Sequence, residues 1–416
     1  MHVKKMAATA ASALTLAALL AGGAARADEL KIWTLTFDNN SANAAWTKII
    51  KDFEAANPEI KISREGRSVD EHKAALRVAA QSSQGPDIYF MWAGLGLGGE
   101  FVKAGLSKPL DEYYEKYGWD KRLTPSAASF SKLYEGKRHG VPYTFHGEGI
   151  YYNKALFEKA GIKSVPQTYD ELKEDAAKLK KAGIPAFTFG GSVNWHVMRL
   201  MDVILEAKCG ADKHDQLMDM KLDWSSEPCA TASFEELNDW SQNYILKPFM
   251  GIDNNQAFKL FLANRAAMML EGDWLVDQLR SAKKLDGIDI FPFPTGTDRL
   301  YGFAEYLYVS AKSAHPDDAA KFLDYLLSDK VQQESLGAFG SISVNANVKY
   351  EKVDALDQRW IDIFNKYKKI YMNGDQAFPL DVTTEYFRVI NEVASGNMKP
   401  ADAGKTLQTF ISNRKG

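Results

Sequence analysis

Residues 261–275, "FLANRAAMMLEGDWL", run apolar and then break into Glu271, Gly272 and Asp273 ahead of Trp274. Read as a buried strand, with Gly272 turning the chain and Asp273 capping a helix, the segment puts Trp274 on a first helical turn at the carboxyl edge of a sheet. A ring on that edge can stack on a ligand, whereas a ring turned inward is core, where Trp usually lies. His146, between Phe145 and Gly147, also falls at a strand end. His72, His214 and His315 have charged helix or turn surroundings and are expected on the solvated surface. Together with His139 and His196 they show no metal-ligand spacing.

Catalytic patterns are scarce. Gly94, Gly96 and Gly99 in "GLGLGG" fit G-x-G-x-x-G between a strand and a helix, the start of a dinucleotide fingerprint. Yet "EFVKAG" allows barely one turn before Gly105, and no strand ending in an acid follows at the distance that unit requires. The glycines therefore read as a turn that lets backbone approach a ligand closely. G-x-S-x-G, the P-loop, H-E-x-x-H and the EF-hand loop are all absent, so neither catalytic residue, metal nor cofactor is expected. Two carboxylates cleaving a glycoside leave no sequence signal, because such pairs meet only in space. A secreted glycoside hydrolase therefore stands as the alternative.

The start of the chain is informative. Lys4 and Lys5 precede an Ala/Leu-rich uncharged stretch from Ala7 to Ala21, and Ala25-Arg26-Ala27 is an A-x-A site, as in a cleaved signal peptide over residues 1–27. The stretch is too short to span a membrane, which takes roughly 20 apolar residues. Neither cysteine lies at the cleavage site, so no membrane anchor is expected, and in a bacterium with two membranes the address is the periplasm. There Cys209 and Cys229 invite a disulfide stapling the polar, turn-rich segment between them as a surface loop; unpaired thiols or a metal pair are the alternatives. The net charge of −3, more negative once Lys4, Lys5 and Arg26 are removed, argues against nucleic acid as a partner.

The elements that must hold these residues alternate. "ELKIWTLTF" predicts a strand over 30–37, "ANAAWTKIIKDFEAANP" a helix, and "EIKISREG" a strand. "SVDEHKAALRVAAQSSQG" predicts a helix with Ser68 and Glu71 as capping box, and "PDIYFMW" a fully apolar strand. That order is the mark of a parallel sheet covered on both faces, with ligands at the carboxyl ends of its strands, near 37–40 and 92–94. "HGVPYTFHGEGIYYN" predicts a short strand, a turn and a second strand. "TYDELKEDAAKLKKAG" is a helix with Thr168 and Glu171 as its capping box, and the segments from Trp360 and Thr384 onward read as helical. No low-complexity linker separates domains.

Five stretches, "GPDIYFMW", "YYNKALFEKAGI.SVPQTYDEL", "AFTFGG...W", "FLANRAAMMLEGDWL" and "AHPDDAAKFLDYLLSDKVQQ", occur in the order found in one family. On them the chain resembles the extracellular sugar-binding proteins of ABC importers, the family 1 solute-binding proteins. The resemblance implies an α/β fold of two lobes, each a mostly parallel sheet flanked by helices and discontinuous in sequence: 28–139 with 300–337, and 140–299 with 338–416. It implies a carbohydrate ligand, permease subunits as partners, a monomer and no catalysis, with a non-sugar solute as the other possible cargo. A pyranose offers C–H faces to aromatic rings and an equator of hydroxyls to polar groups. By resemblance the rings are Trp92, Trp195, Trp274 and Tyr386, and the polar contacts Asn39, Asn40, Glu305 and Arg388, with Gly191 in "GGSVNW" beside them. His146 stands where members similar to the maltose-binding protein carry an acid, which Glu148 could replace. With Arg67 and Arg388, His146 could favour an acidic sugar.

Overall fold

In the computed structural model residues 28–36, 40–128, 130 and 134–414 are described. The leader and Asn39 lie outside them, as does the side chain of Asn40, whose backbone starts the first helix.

Eight strands form one sheet: β1 (Asp28–Leu35), β2 (Ile60–Arg67), β3 (Ile88–Trp92), β4 (Val141–Asn153), β5 (Met268–Gly272), β6 (Ile288–Phe291), β7 (Arg299–Val309) and β8 (Lys369–Tyr371). Their order is β2-β1-β3-β7-β4-β5, with β6 beside β4 and β8 beside β7. The β1–β2 and β1–β3 pairs are parallel, as the strand and helix alternation predicts. β4 and β7 run antiparallel to each other, β7 antiparallel to β3, and β4 antiparallel to β5 and β6. The parallel character therefore belongs mainly to the first half, because these two long strands pass between two cores and meet the local strands head to tail.

Those cores are distinct. One gathers Trp46, Phe90, Trp119, Tyr306 and Phe322; the other gathers Leu205, Trp224, Trp240, Phe378 and Tyr386; a third, smaller cluster gathers Tyr151, Phe261, Met269, Leu300 and Trp360. Along β4 the change falls between Phe145 and Ile150, and along β7 between Tyr301 and Ala304.

Both expected capping boxes form, at Ser68 with Glu71 and at Thr168 with Glu171. The turn expected inside "HGVPYTFHGEGIYYN" does not, since β4 is continuous. Its glycines serve packing instead: a β-carbon at Gly147 would lie 2.7 Å from Leu300 and Phe364, and one at Gly149 3.2 Å from Trp360. The helix expected through Trp360 ends at Lys366, and Lys369–Tyr371 joins β7 as a strand.

Cys209 and Cys229 are bridged. The enclosed segment is not a surface loop. Helix Asn194–Met218 runs into it across a kink at Gly210, and Trp224 is fully buried. His72 and His214 are also buried, contrary to the expectation from their charged neighbours. The faces of their helices that carry them turn inward: His72 Nε2 lies 2.7 Å from the Phe90 carbonyl, and His214 packs on Tyr371. Burial pushes the His72 imidazole down to about 4, so it is neutral.

Candidate functional site

Four neighbouring strands bring the predicted residues together. Trp92 ends β3 opposite Glu305 on β7, and Phe303, two residues before Glu305 on the same face, lies opposite His146 on β4. On the other edge of β4, Glu148 is paired with Gly272 at the end of β5. Trp274 follows, next to helix Leu275–Ser281. Trp92, His146, Trp274, Phe303 and Glu305, with Trp195 from the first turn of helix Asn194–Met218, line one cavity of about 310 Å³ between the two cores. Trp92, Trp195 and Trp274 are each only half-buried, leaving ring surface toward the cavity.

The strand, turn and helix expected around Trp274 are present, with one correction. Asp273 does not cap the helix. Its carboxylate accepts from His146 Nδ1 at 2.7 Å and from the Ser341 backbone N–H at 2.7 Å. Burial works against charge on His146, but Asp273 and, at 3.9 Å, Glu305 outweigh it and push the imidazole up to about 10. His146 is thus a buried imidazolium between two carboxylates. Its ring meets that of Trp274 edge-on at 5.1 Å.

Beneath the indoles lies Arg199, which sequence reading missed. Its guanidinium stands 4.3 Å from the Trp195 ring and 5.0 Å from that of Trp274. It is paired with Glu148 at 2.6 Å and Glu271 at 2.7 Å. Burial lifts the Glu148 carboxyl to about 7 despite Arg199, while Arg199 and His196 overcome burial at Glu271 and hold it at about 2. Glu148 is therefore an internal partner of Arg199 rather than part of the cavity lining.

A further wall comes from the short helix Gly374–Ala377 with Asn373 before it, which contributes Asn373, Asp375 and Gln376. Asp202 holds this helix by accepting from the Gly374 N–H at 2.8 Å and from the Tyr301 and Tyr386 hydroxyls, each at 2.7 Å. Oxygens of Asn373, Asp375 and Gln376 have no partner within the described residues. Lys73, near the Trp92 ring at 5.3 Å, completes the charged lining.

Three expected site residues do not reach the cavity. Tyr386 is fully buried, its hydroxyl spent on Asp202. Arg388 is exposed on helix Leu380–Ser395 and paired with Glu385 at 2.6 Å. Gly191 abuts Phe249 and Met250, where a β-carbon would come within 2.9 Å. Arg67 also lies apart, stacked at 4.0 Å on Trp33. Of the three cations expected to converge on an acidic sugar, only His146 lines the cavity, and two carboxylates already flank it.

Only short-range cues were available in the sequence for Arg199 and for Asn373, Asp375 and Gln376: no motif marks them, and the capping-like "NGD" at 373–375 is a common turn. What the arrangement can do chemically is clear from its parts. Rings offer stacking faces, and fixed acceptors and donors ring them; the Ser341 hydroxyl in the same lining donates to the Asp357 carboxylate at 2.6 Å.

Residues 38–333 match the family of bacterial extracellular solute-binding proteins. The chain is similar to the multiple sugar-binding protein of Streptococcus mutans, 27% identical over 82% of either chain. It is also similar to a probable sugar-binding periplasmic protein of Rhizobium meliloti, 29% identical over 69% of this chain and 67% of that one. Among solved structures, a chitin oligosaccharide binding protein superposes with a TM-score of 0.83 at 21% identity, covering 92% of this chain and 98% of that one. Its fold is thus the two-lobe α/β fold of such binding proteins, and the chain belongs to the family of bacterial extracellular solute-binding proteins.

Proposed function

We propose that the protein is the sugar-binding component of an ABC importer, closing its two lobes around a sugar or oligosaccharide and handing it to permease subunits. The observation that carries this reading is the meeting of Trp92, Trp195 and Trp274 with Glu305, Asp375 and Gln376 on one cavity of about 310 Å³. Indoles suit the C–H faces of a pyranose, and buried acceptors suit its hydroxyls. The relatives named as sugar-binding proteins support the same class of cargo.

In this reading residues 28–139 and 300–337 form one lobe and 140–299 and 338–416 the other; the two cores support a two-lobe division but place the crossings a few residues later, between Phe145 and Ile150 and between Tyr301 and Ala304. The leader over 1–27 directs the protein to the periplasm, where it acts as a monomer. It binds neither nucleic acid nor cofactor and breaks no bond. Among the described residues no helix is long and apolar enough to cross a membrane.

A thermal-shift screen over neutral and acidic mono- and oligosaccharides, followed by calorimetry and by recovery of the sugar, tests this. A hit should raise the melting temperature by mass action and be recovered intact. Silence across all carbohydrates would refute the reading, and shortened products would replace it with hydrolysis.

A further inference from the structure

The "GLGLGG" segment lacks the rest of a dinucleotide fingerprint, yet its glycines are under strict steric demand. The loop is fastened to the first core: the Gly94 N–H donates to the Tyr134 hydroxyl at 3.1 Å, and that hydroxyl lies 2.9 Å from that of Tyr308. Its other side meets the helix Gly374–Ala377, which Asp202 and Tyr386 fasten to the second core. The Gly96 N–H donates to the Gln376 carbonyl at 3.2 Å. A β-carbon at Gly96 would come 2.1 Å from the Phe378 carbonyl oxygen and 2.4 Å from that of Asp375. One at Gly94 would come 2.6 Å from Gln376, and Gly94 has φ +115 besides. These obstacles are backbone and cannot swing aside.

Loop and helix both face the cavity, through Leu97 on one side and Asp375 and Gln376 on the other. Their contact is therefore a seam in the cavity wall, made between the two cores. We propose that Gly96 is an affinity-determining residue of this site: its lack of a side chain lets loop and helix meet backbone to backbone and seal the ligand cavity. The inference rests on the sugar-binding reading for its ligand and on geometry alone for the contact. Without the seal, solvent enters beside the acceptors of Asp375 and Gln376 and competes for them.

The test compares Gly96→Ala with Gly251→Ala, whose β-carbon would face open space. Sugar affinity, by calorimetry with the best carbohydrate of the screen, should fall at least tenfold for Gly96→Ala and stay unchanged for Gly251→Ala. The paired variant Leu95→Cys/Leu380→Cys, both positions exposed and flanking the seam, is treated with a short bis-maleimide, with and without sugar. Saturating sugar should speed cross-linking several-fold, and adding Gly96→Ala should slow it several-fold under either condition. Wild-type affinity and an unaltered cross-linking rate in Gly96→Ala would overturn the proposal. Should Gly96→Ala fold poorly, a cross-linking rate in the Gly96 protein that does not respond to bound sugar would overturn it equally. Absence of any binding carbohydrate would sink the sugar reading, and the ligand-free cross-linking rates would still decide whether Gly96 makes the seal.

Discussion

The indole of Trp274 folds back over Gly272, so that a β-carbon at Gly272 would stand 1.9 Å from the ring. The glycine thus does more than turn the chain at the end of β5. It leaves the space in which the indole lies flat, braced by His146 at 5.1 Å and Phe303 at 5.6 Å. Trp274→Ala is expected to weaken sugar binding by tenfold or more, about 1.4 kcal/mol, with little change in the unliganded melting temperature. Calorimetry decides it, and unchanged affinity would return the ring to a packing role.

Arg199 neutralises two buried carboxylates, so its removal leaves Glu148 without a counter-charge and Glu271 with His196 alone. Arg199→Met should cost about 3–5 kcal/mol of stability in denaturant unfolding. Because burial already lifts Glu148 to about 7, that carboxyl takes up a proton readily, and the loss should be smaller at pH 5.5 than at pH 8. A loss independent of pH would show that the pairing is not what Arg199 provides.

The same reasoning gives His146 a pH window with a definite sign. Its folded value, about 10, lies above the ordinary 6.5, so its contribution is complete below pH 6.5 and fades as pH rises toward 10. Glu148 acts in a lower window, weakening the fold between its ordinary 4.5 and about 7 as its buried charge develops. The urea midpoint of the wild type should therefore fall between pH 7 and 10, and that of His146→Gln should fall less. Parallel curves would rule the imidazolium out.

How much of this could be read beforehand follows from the range of each interaction. Trp92 and Trp274 were legible because a strand end, a turn and a helix start are written in neighbouring residues. Tyr386 and Arg388 were misplaced because helical periodicity does not tell which partner a face will meet; Asp202, 184 residues away, claims the tyrosine. Gly147 and Gly149 looked like turn residues because the rings that crowd them, Phe364 and Trp360, come from more than two hundred residues later. Asp273 satisfied a local capping rule and was taken by His146 through tertiary packing instead. Arg199 carries no motif, since its carboxylate partners arrive from two separate strands.

The Cys209–Cys229 bridge joins the kink at Gly210 to the first turn of helix Pro228–Asn243 and closes a sequence separation of 20. Neither cysteine lines the cavity. Replacing both with Ala should lower stability by about 2–4 kcal/mol while leaving sugar affinity within twofold. A large affinity loss at full folding would tie the bridge to the site.

Among the described residues the antiparallel neighbour of β3 is β7, with Ile88 opposite Val309. During synthesis, then, the first two hundred residues emerge with the inner edge of their sheet unpaired, and no amount of waiting lets that half finish alone. If the chain is exported as proposed, this delay is useful: the strand that completes the sheet is made late, so the N-terminal half stays threadable. A fragment ending at Asp298 is accordingly expected to remain protease-sensitive throughout, including the segment 28–139 that the whole protein protects.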